Sequence, residues 1–133
     1  MDMEDRSVAI MVGGEQYRLV LTTRATKEIA KRYGGLEDLG EKLMKSENFE
    51  MAISEVVWLI VLLANQSILI HNLQNAEKHE LLTEEAVELL TSPLDLANYK
   101  NAILEAMMKG TKRYVESEEE SSKNGVGRRP PPG

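Results

Sequence analysis

Val56-Val57-Trp58-Leu59-Ile60-Val61-Leu62-Leu63-Ala64 is the stretch whose reading decides the fold. Nine consecutive apolar residues leave a helix without a polar stripe, so an element built this way has to be covered on all sides. From Val56 to Ile70 there is no charge, yet a helix of that length spans about 22 Å, short of the roughly 30 Å of a bilayer core. The apolar run stops at Asn65-Gln66-Ser67. On the upstream side Phe49, Ala52 and Ile53 recur at helical spacing while Glu50, Ser54 and Glu55 stay polar. The expectation is a central helix over Phe49–Leu73, buried in a soluble protein and not inserted in a membrane. Two covers are open to it: the remaining helices wrap it completely, or another copy or a partner protein closes part of its surface.

Working outward, 133 residues predict one domain with a single core. The balance of 16 basic against 22 acidic residues, a net charge of -6, argues against nonspecific nucleic-acid binding. With no cysteine, disulfide and thiolate chemistry are excluded. The start Met1-Asp2-Met3-Glu4-Asp5 is acidic where a signal peptide needs a basic segment, so a cytoplasmic protein is expected. Seven methionines accompany one Trp and one Phe; methionine fills cores and also suits a surface that repacks around a partner.

Residues 1–6 are charged and are expected to be disordered. Val8, Ile10 and Val12 then fall on one side of an extended segment, Gly13-Gly14 supplies a tight turn, and Tyr17, Leu19 and Leu21 alternate with Arg18, Val20 and Thr22. This predicts a β-hairpin that lies on the helices or joins a sheet built between copies. Thr22 or Thr23 caps a helix ending at Tyr33, with Ala25, Ile29 and Tyr33 inward and Arg24, Lys27, Lys31 and Arg32 on the other face. Gly34-Gly35 stops it. Leu36 to Lys45 reads as a short helix with Leu36, Leu39 and Leu43 inward, and Ser46 or Asn48 caps the central helix. After a polar connection over Gln74 to His79, Thr83-Glu84-Glu85 opens another short helix with Leu82, Val87, Leu89 and Leu90 as its apolar contacts. Ser92-Pro93-Leu94-Asp95 starts the last helix, which is expected to end near Val115. Its stripe is Leu96, Tyr99, Ile103, Ala106, Met107 and Gly110, with Ala106 and Gly110 small enough to admit another helix. From Glu116 to Gly133 the composition turns acidic and then Pro-rich, as in a disordered tail. The fold class is therefore α+β and mostly α. An N-terminal hairpin precedes about five helices bundled around the central one, in a single domain over residues 7–115 with a disordered tail at 116–133.

Chemistry is sparse. His71 and His79 are the only histidines, with Glu77 and Glu80 nearby, and lack the four-residue spacing that sets two imidazoles on one helix face. No nucleotide loop and no Gly-x-Ser-x-Gly elbow occurs. The chain reads as a binding protein and not an enzyme, with no catalytic, cofactor or metal site.

The order of parts carries a resemblance: the strand Tyr17-Arg18-Leu19-Val20-Leu21, then Thr22-Thr23-Arg24-Ala25-Thr26-Lys27-Glu28-Ile29-Ala30-Lys31-Arg32-Tyr33-Gly34-Gly35-Leu36, then a strongly apolar helix with Trp58. It resembles the tail assembly chaperones of long-tailed phages and of prophages of Gram-positive bacteria, over about residues 7 to 115 and most specifically from Tyr17 to Leu36. The resemblance implies a helical or α+β protein of the host bacterial cytoplasm that coats the apolar tape-measure protein, keeps it soluble and helps recruit tail-tube subunits. It also implies a longer form made by ribosomal frameshifting near the end of the reading frame, which the change at Glu116 suits. Trp58, Leu62, Met107, Met108 and Tyr114 are the candidate partner-contact residues, each of which also fits the core. A homo-oligomer is compatible with this reading; nucleic acid and membrane are not expected partners. Two alternatives stand beside it: a structural phage protein, a head-tail connection or tail component retained in the virion, and a small nucleic-acid-binding regulator using the Arg24, Lys27, Lys31 and Arg32 face.

Overall fold

The computed structural model describes the backbone of residues 6–45 and 49–122, and the side chains of 6–39, 41 and 53–111. Two strands, β1 (Ser7–Val12) and β2 (Glu15–Val20), precede five helices among the described residues. These are α1 (Thr23–Tyr33), α2 (Leu36–Lys45), α3 (Phe49–Gln74), α4 (Glu84–Leu90) and α5 (Pro93–Ser122). The expected class, a helical α+β protein with an N-terminal hairpin, is what the chain adopts.

Gly13 and Gly14 turn the hairpin with φ of 59° and 86°, the paired positive values of a two-residue loop matched to strand twist. Val12 faces Glu15 across the turn, and the register continues through Ile10 with Tyr17 and Val8 with Leu19. Residues flanking such a loop exchange backbone bonds, so the alternate residues Ser7, Ala9 and Met11 aim theirs outward from β1, as Gln16, Arg18 and Val20 do from β2. On the β1 side α5 supplies donors. The Tyr99 hydroxyl donates to the Met11 carbonyl, and Lys109 Nζ donates to the Ser7 carbonyl at 2.9 Å. The hairpin thus lies on the helices of its own chain, with β2 against α3 and both strands against α5.

The core joins the hairpin with α1, α2, α3 and α5: Leu19, Ile29, Leu39, Val57, Leu59, Ile60, Leu63 and Ile103 are fully buried. Val20 is buried as well, so the alternation of β2 fails at its end, where both faces of the strand are covered. Thr22 is the N-cap of α1, its Oγ1 accepting from the Ala25 amide at 3.0 Å, and Gly34 closes the helix at φ 98°. Thr83 caps α4, and Ser92 and Asp95 form a reciprocal cap on α5.

Three expectations need correction. In α4, Leu82 and Val87 are buried but Leu89 and Leu90 are 74% and 58% exposed, because two helical turns present only one residue row inward. What packs against Gly110 is Leu21 and not another helix of this chain; an added Cβ would lie 2.8 Å from Leu21 Cδ2. Ala106 is a core residue beside it. The backbone of α5 runs to Ser122, past Val115, since the Glu-rich stretch from Glu116 contains no helix breaker before Gly125. Residues 1–5 and 123–133, where disorder is expected, and the proposed caps Ser46 and Asn48 lie outside the described residues, as do the side chains of Leu43, Phe49 and Ala52.

Candidate partner-binding surface

The helix α3 has 26 residues and extends about 39 Å, through Asn65-Gln66-Ser67 without interruption. All three polar side chains are occupied. Asn65 accepts from the Leu82 amide at 2.7 Å and donates to the Leu82 carbonyl at 2.9 Å. Gln66, buried, accepts from the Thr22 hydroxyl and donates to the Leu62 carbonyl, while Ser67 donates to the Ala64 carbonyl. Two turns on, Asn72 repeats the arrangement of Asn65, accepting from the His79 amide at 2.8 Å and donating to the His79 carbonyl at 3.0 Å. A pair of asparagines seven apart therefore pegs an extended strap, residues 78–83, along the second half of α3. Lys78 Nζ donates to the carbonyls of Asn72 and Asn75, satisfying the C-terminal end of the helix.

Covering is uneven. Ile53–Gln74 is the one helix among the described residues long and apolar enough to cross a membrane, and 39% of that apolar stretch is buried inside the chain. Val56, Val57, Leu59, Ile60, Leu63 and Ala64 are buried, whereas Trp58, Val61 and Leu62 are only half-buried. Spacing of three and four places these residues on one stripe, upstream of the strap. Among the described residues, the chain's own elements cover α3 in part.

Trp58 sits in a small structured cluster. The Arg32 guanidinium lies 4.3 Å from the centre of its ring, and Tyr33 meets it edge-on, with centroids 6.1 Å apart and planes at 75°. Arg32 donates to both carboxylate oxygens of Glu55, at 3.1 and 3.3 Å, and the Tyr33 hydroxyl donates to the same carboxylate. Burial and then the Glu55 hydrogen bond push the Tyr33 phenol far above its ordinary value, and the bond to Glu55 raises the Arg32 guanidinium further. Trp, Tyr and Arg are the residue types most often found at the energetic centres of protein interfaces. Of the expected basic face, Arg32 is thus committed to Glu55 and Lys31 pairs with Glu28 at 3.6 Å. Arg24 and Lys27 are exposed and take part in no ion pair among the described residues.

The sequence candidates separate. Trp58 and Leu62 share the half-covered stripe. Met107 is 8% exposed and belongs to the core, while its neighbour Met108 is 70% exposed on another side of α5. The side chain of Tyr114 lies outside the described ones. Sequence reasoning missed the partners of Trp58, for which the signal was an Arg-Tyr pair at a helix end together with Glu55 three residues before Trp58. It also missed the pegs, whose signal was the seven-residue spacing of Asn65 and Asn72.

A concavity of about 990 Å³ lies between β2 and the strap over Ser67, Ile68 and His71. There the rings of His71 and His79 stack at 3.9 Å with 15° between planes. His71 donates from Nε2 to the Glu77 carbonyl and accepts at Nδ1 from Asn75, so both its nitrogens are used. Among the described residues no group of three or more His, Cys, Asp or Glu side chains converges as metal ligands would. Comparison with protein-family models, with curated proteins and with solved structures finds no match to this chain.

Proposed function

We propose that this chain is a phage tail assembly chaperone, which binds and solubilises the tape-measure protein and helps recruit tail-tube subunits during tail morphogenesis in the host cytoplasm. The observation that carries the reading is the half-covered stripe Trp58, Val61 and Leu62 on a helix otherwise apolar all round. An apolar helix of a partner laid on this stripe gains about 25 cal/mol per Å² of apolar surface removed from water. Arg32 and Tyr33 frame the indole, giving the surface one ordered anchor among adaptable aliphatic contacts. The net charge of -6 keeps such a complex soluble.

Co-expression with a phage tape-measure chain tests the proposal. The partner is expected to stay soluble and to be retained with this chain, and Trp58→Ala with Leu62→Ser to release it while the variant remains folded. Precipitation of the tape-measure chain whether or not this protein is present would refute it. The structural-protein reading is favoured by one observation, that β2 lines an open groove along Glu15, Gln16, Tyr17 and Arg18 where a neighbouring copy has room to approach. Mass spectrometry of purified virions separates the two, since a chaperone is absent from the particle.

A further inference from the structure

A crevice of about 530 Å³ opens between α1 and α5, lined mainly by Leu21, Thr26, Lys27, Ala30, Leu36 and Gly110. Its volume is within the range of sites that bury a ligand, roughly 300–1,000 Å³. At Gly110 Leu21 lies close against α5, so close that a side chain there would displace it, and the α5 wall carries no protrusion at this position. The rim is positive. Lys27 lines the crevice, with Arg24 three residues before it and Lys31 four after it on the same edge of α1. In a chain of net charge -6 this is a local reversal of sign. Arg24 and Lys27 have no ion pair among the described residues, and Lys31 has only an exposed one.

We infer that this crevice seats an amphipathic helix of a partner protein, its apolar row entering between α1 and α5 and its acidic flank lying against Arg24, Lys27 and Lys31. Charge selects the flank, since a cationic rim beside an apolar cleft rewards Asp or Glu next to the apolar row and disfavours Lys or Arg there. The walls select a helix, because α1 and α5 spend their backbone groups internally and offer no edge to an extended peptide. The inference rests on reading the chain as a binding protein, but it concerns a surface distinct from the Trp58 stripe.

Its test is a titration of the ¹⁵N-labelled full chain, followed by amide shifts, with two synthetic amphipathic helical peptides. They share one Leu row; one carries Glu on its polar flanks and the other Lys. The Glu peptide is expected to shift the amides of Leu21, Lys27, Ala30, Leu36 and Gly110 saturably, and the Lys peptide to bind at least about tenfold more weakly. Lys27→Glu should reverse that order, and Ala30→Glu should abolish binding of the Glu peptide; both positions are exposed, so the fold persists. Equal affinity for both peptides, or shifts confined to Trp58, Val61 and Leu62, overturns the inference. So do shifts at these amides that depend on protein concentration alone, which would place a second copy in the crevice, or that appear only with duplex DNA. Neither peptide contains tape-measure sequence, so a negative result here leaves the co-expression outcome to stand or fall separately.

Discussion

Arg32 joins α1 to α3 through the carboxylate of Glu55 and at the same time covers the indole of Trp58. Lysine has the charge but neither the paired donors nor the flat face, so Arg32→Lys should cost about 0.5–1 kcal/mol and red-shift the Trp58 emission as water reaches the ring. Emission from the single tryptophan reads this directly. The phenols of Tyr33 and Tyr99 are both raised above 10.0, chiefly by burial and further by Glu55 and Asp95. A phenol raised in the fold binds its proton more tightly there than in the unfolded chain. Its contribution is therefore complete below about pH 10 and is lost as pH climbs through the raised values. Thermal melts from pH 8 to 11.5 should be flat up to about pH 10 and fall beyond, with a shallower fall in Tyr33→Phe and Tyr99→Phe. At Gly110 even a methyl would meet Leu21 at 2.8 and 2.9 Å, so Gly110→Val should destabilise by about 1–3 kcal/mol, measurable in urea.

Among the elements, α3 and its strap depend on two side chains that imitate backbone. Asn65→Ala leaves the buried Leu82 without partners for its amide and carbonyl, and should cost about 1–3 kcal/mol, whereas Asn72→Ala acts at an exposed site and should cost less. Amide exchange at Leu82 and His79 should accelerate in the respective variants. Much at this scale was legible in the sequence. Capping by Thr22, Thr83 and Ser92, the stop at Gly34 and the turn at Gly13-Gly14 depend on neighbours a few residues apart, and local chemistry is written locally. The inward residues Ala25, Ile29 and Leu39 follow from period alone. What periodicity does not carry is which rows of an all-apolar helix find cover. On that account Met107 and Met108 read alike in sequence yet lie one in the core and one in solvent. Leu89 and Leu90 failed for the same reason, and the Asn65 and Asn72 pegs join residues 17 and 7 positions apart, which no local pattern displays.

For the molecule as a whole, the half-covered α3 stripe and the cationic crevice make different demands on salt. Under the proposed function, binding through Trp58, Val61 and Leu62 would be apolar burial, and retention of a tape-measure chain would persist at 0.5 M NaCl, roughly where the Debye length falls below 5 Å. A nucleic-acid partner on the α1 face would instead be lost steeply as salt rises. A pull-down washed at low and high salt tells them apart. Sequence placed both surfaces only vaguely, because each is defined by what other elements fail to cover. The side chains that close the outer side of β1, Tyr99 and Lys109, lie 88 and 102 positions along the chain from the carbonyls they serve. On a ribosome adding about 5–20 residues each second, the first strand therefore waits about 4–20 s for the last helix. Until then its edge is bare beside every other nascent copy on the same message, and the hairpin is exposed longest at the stage when mispairing between neighbours is easiest.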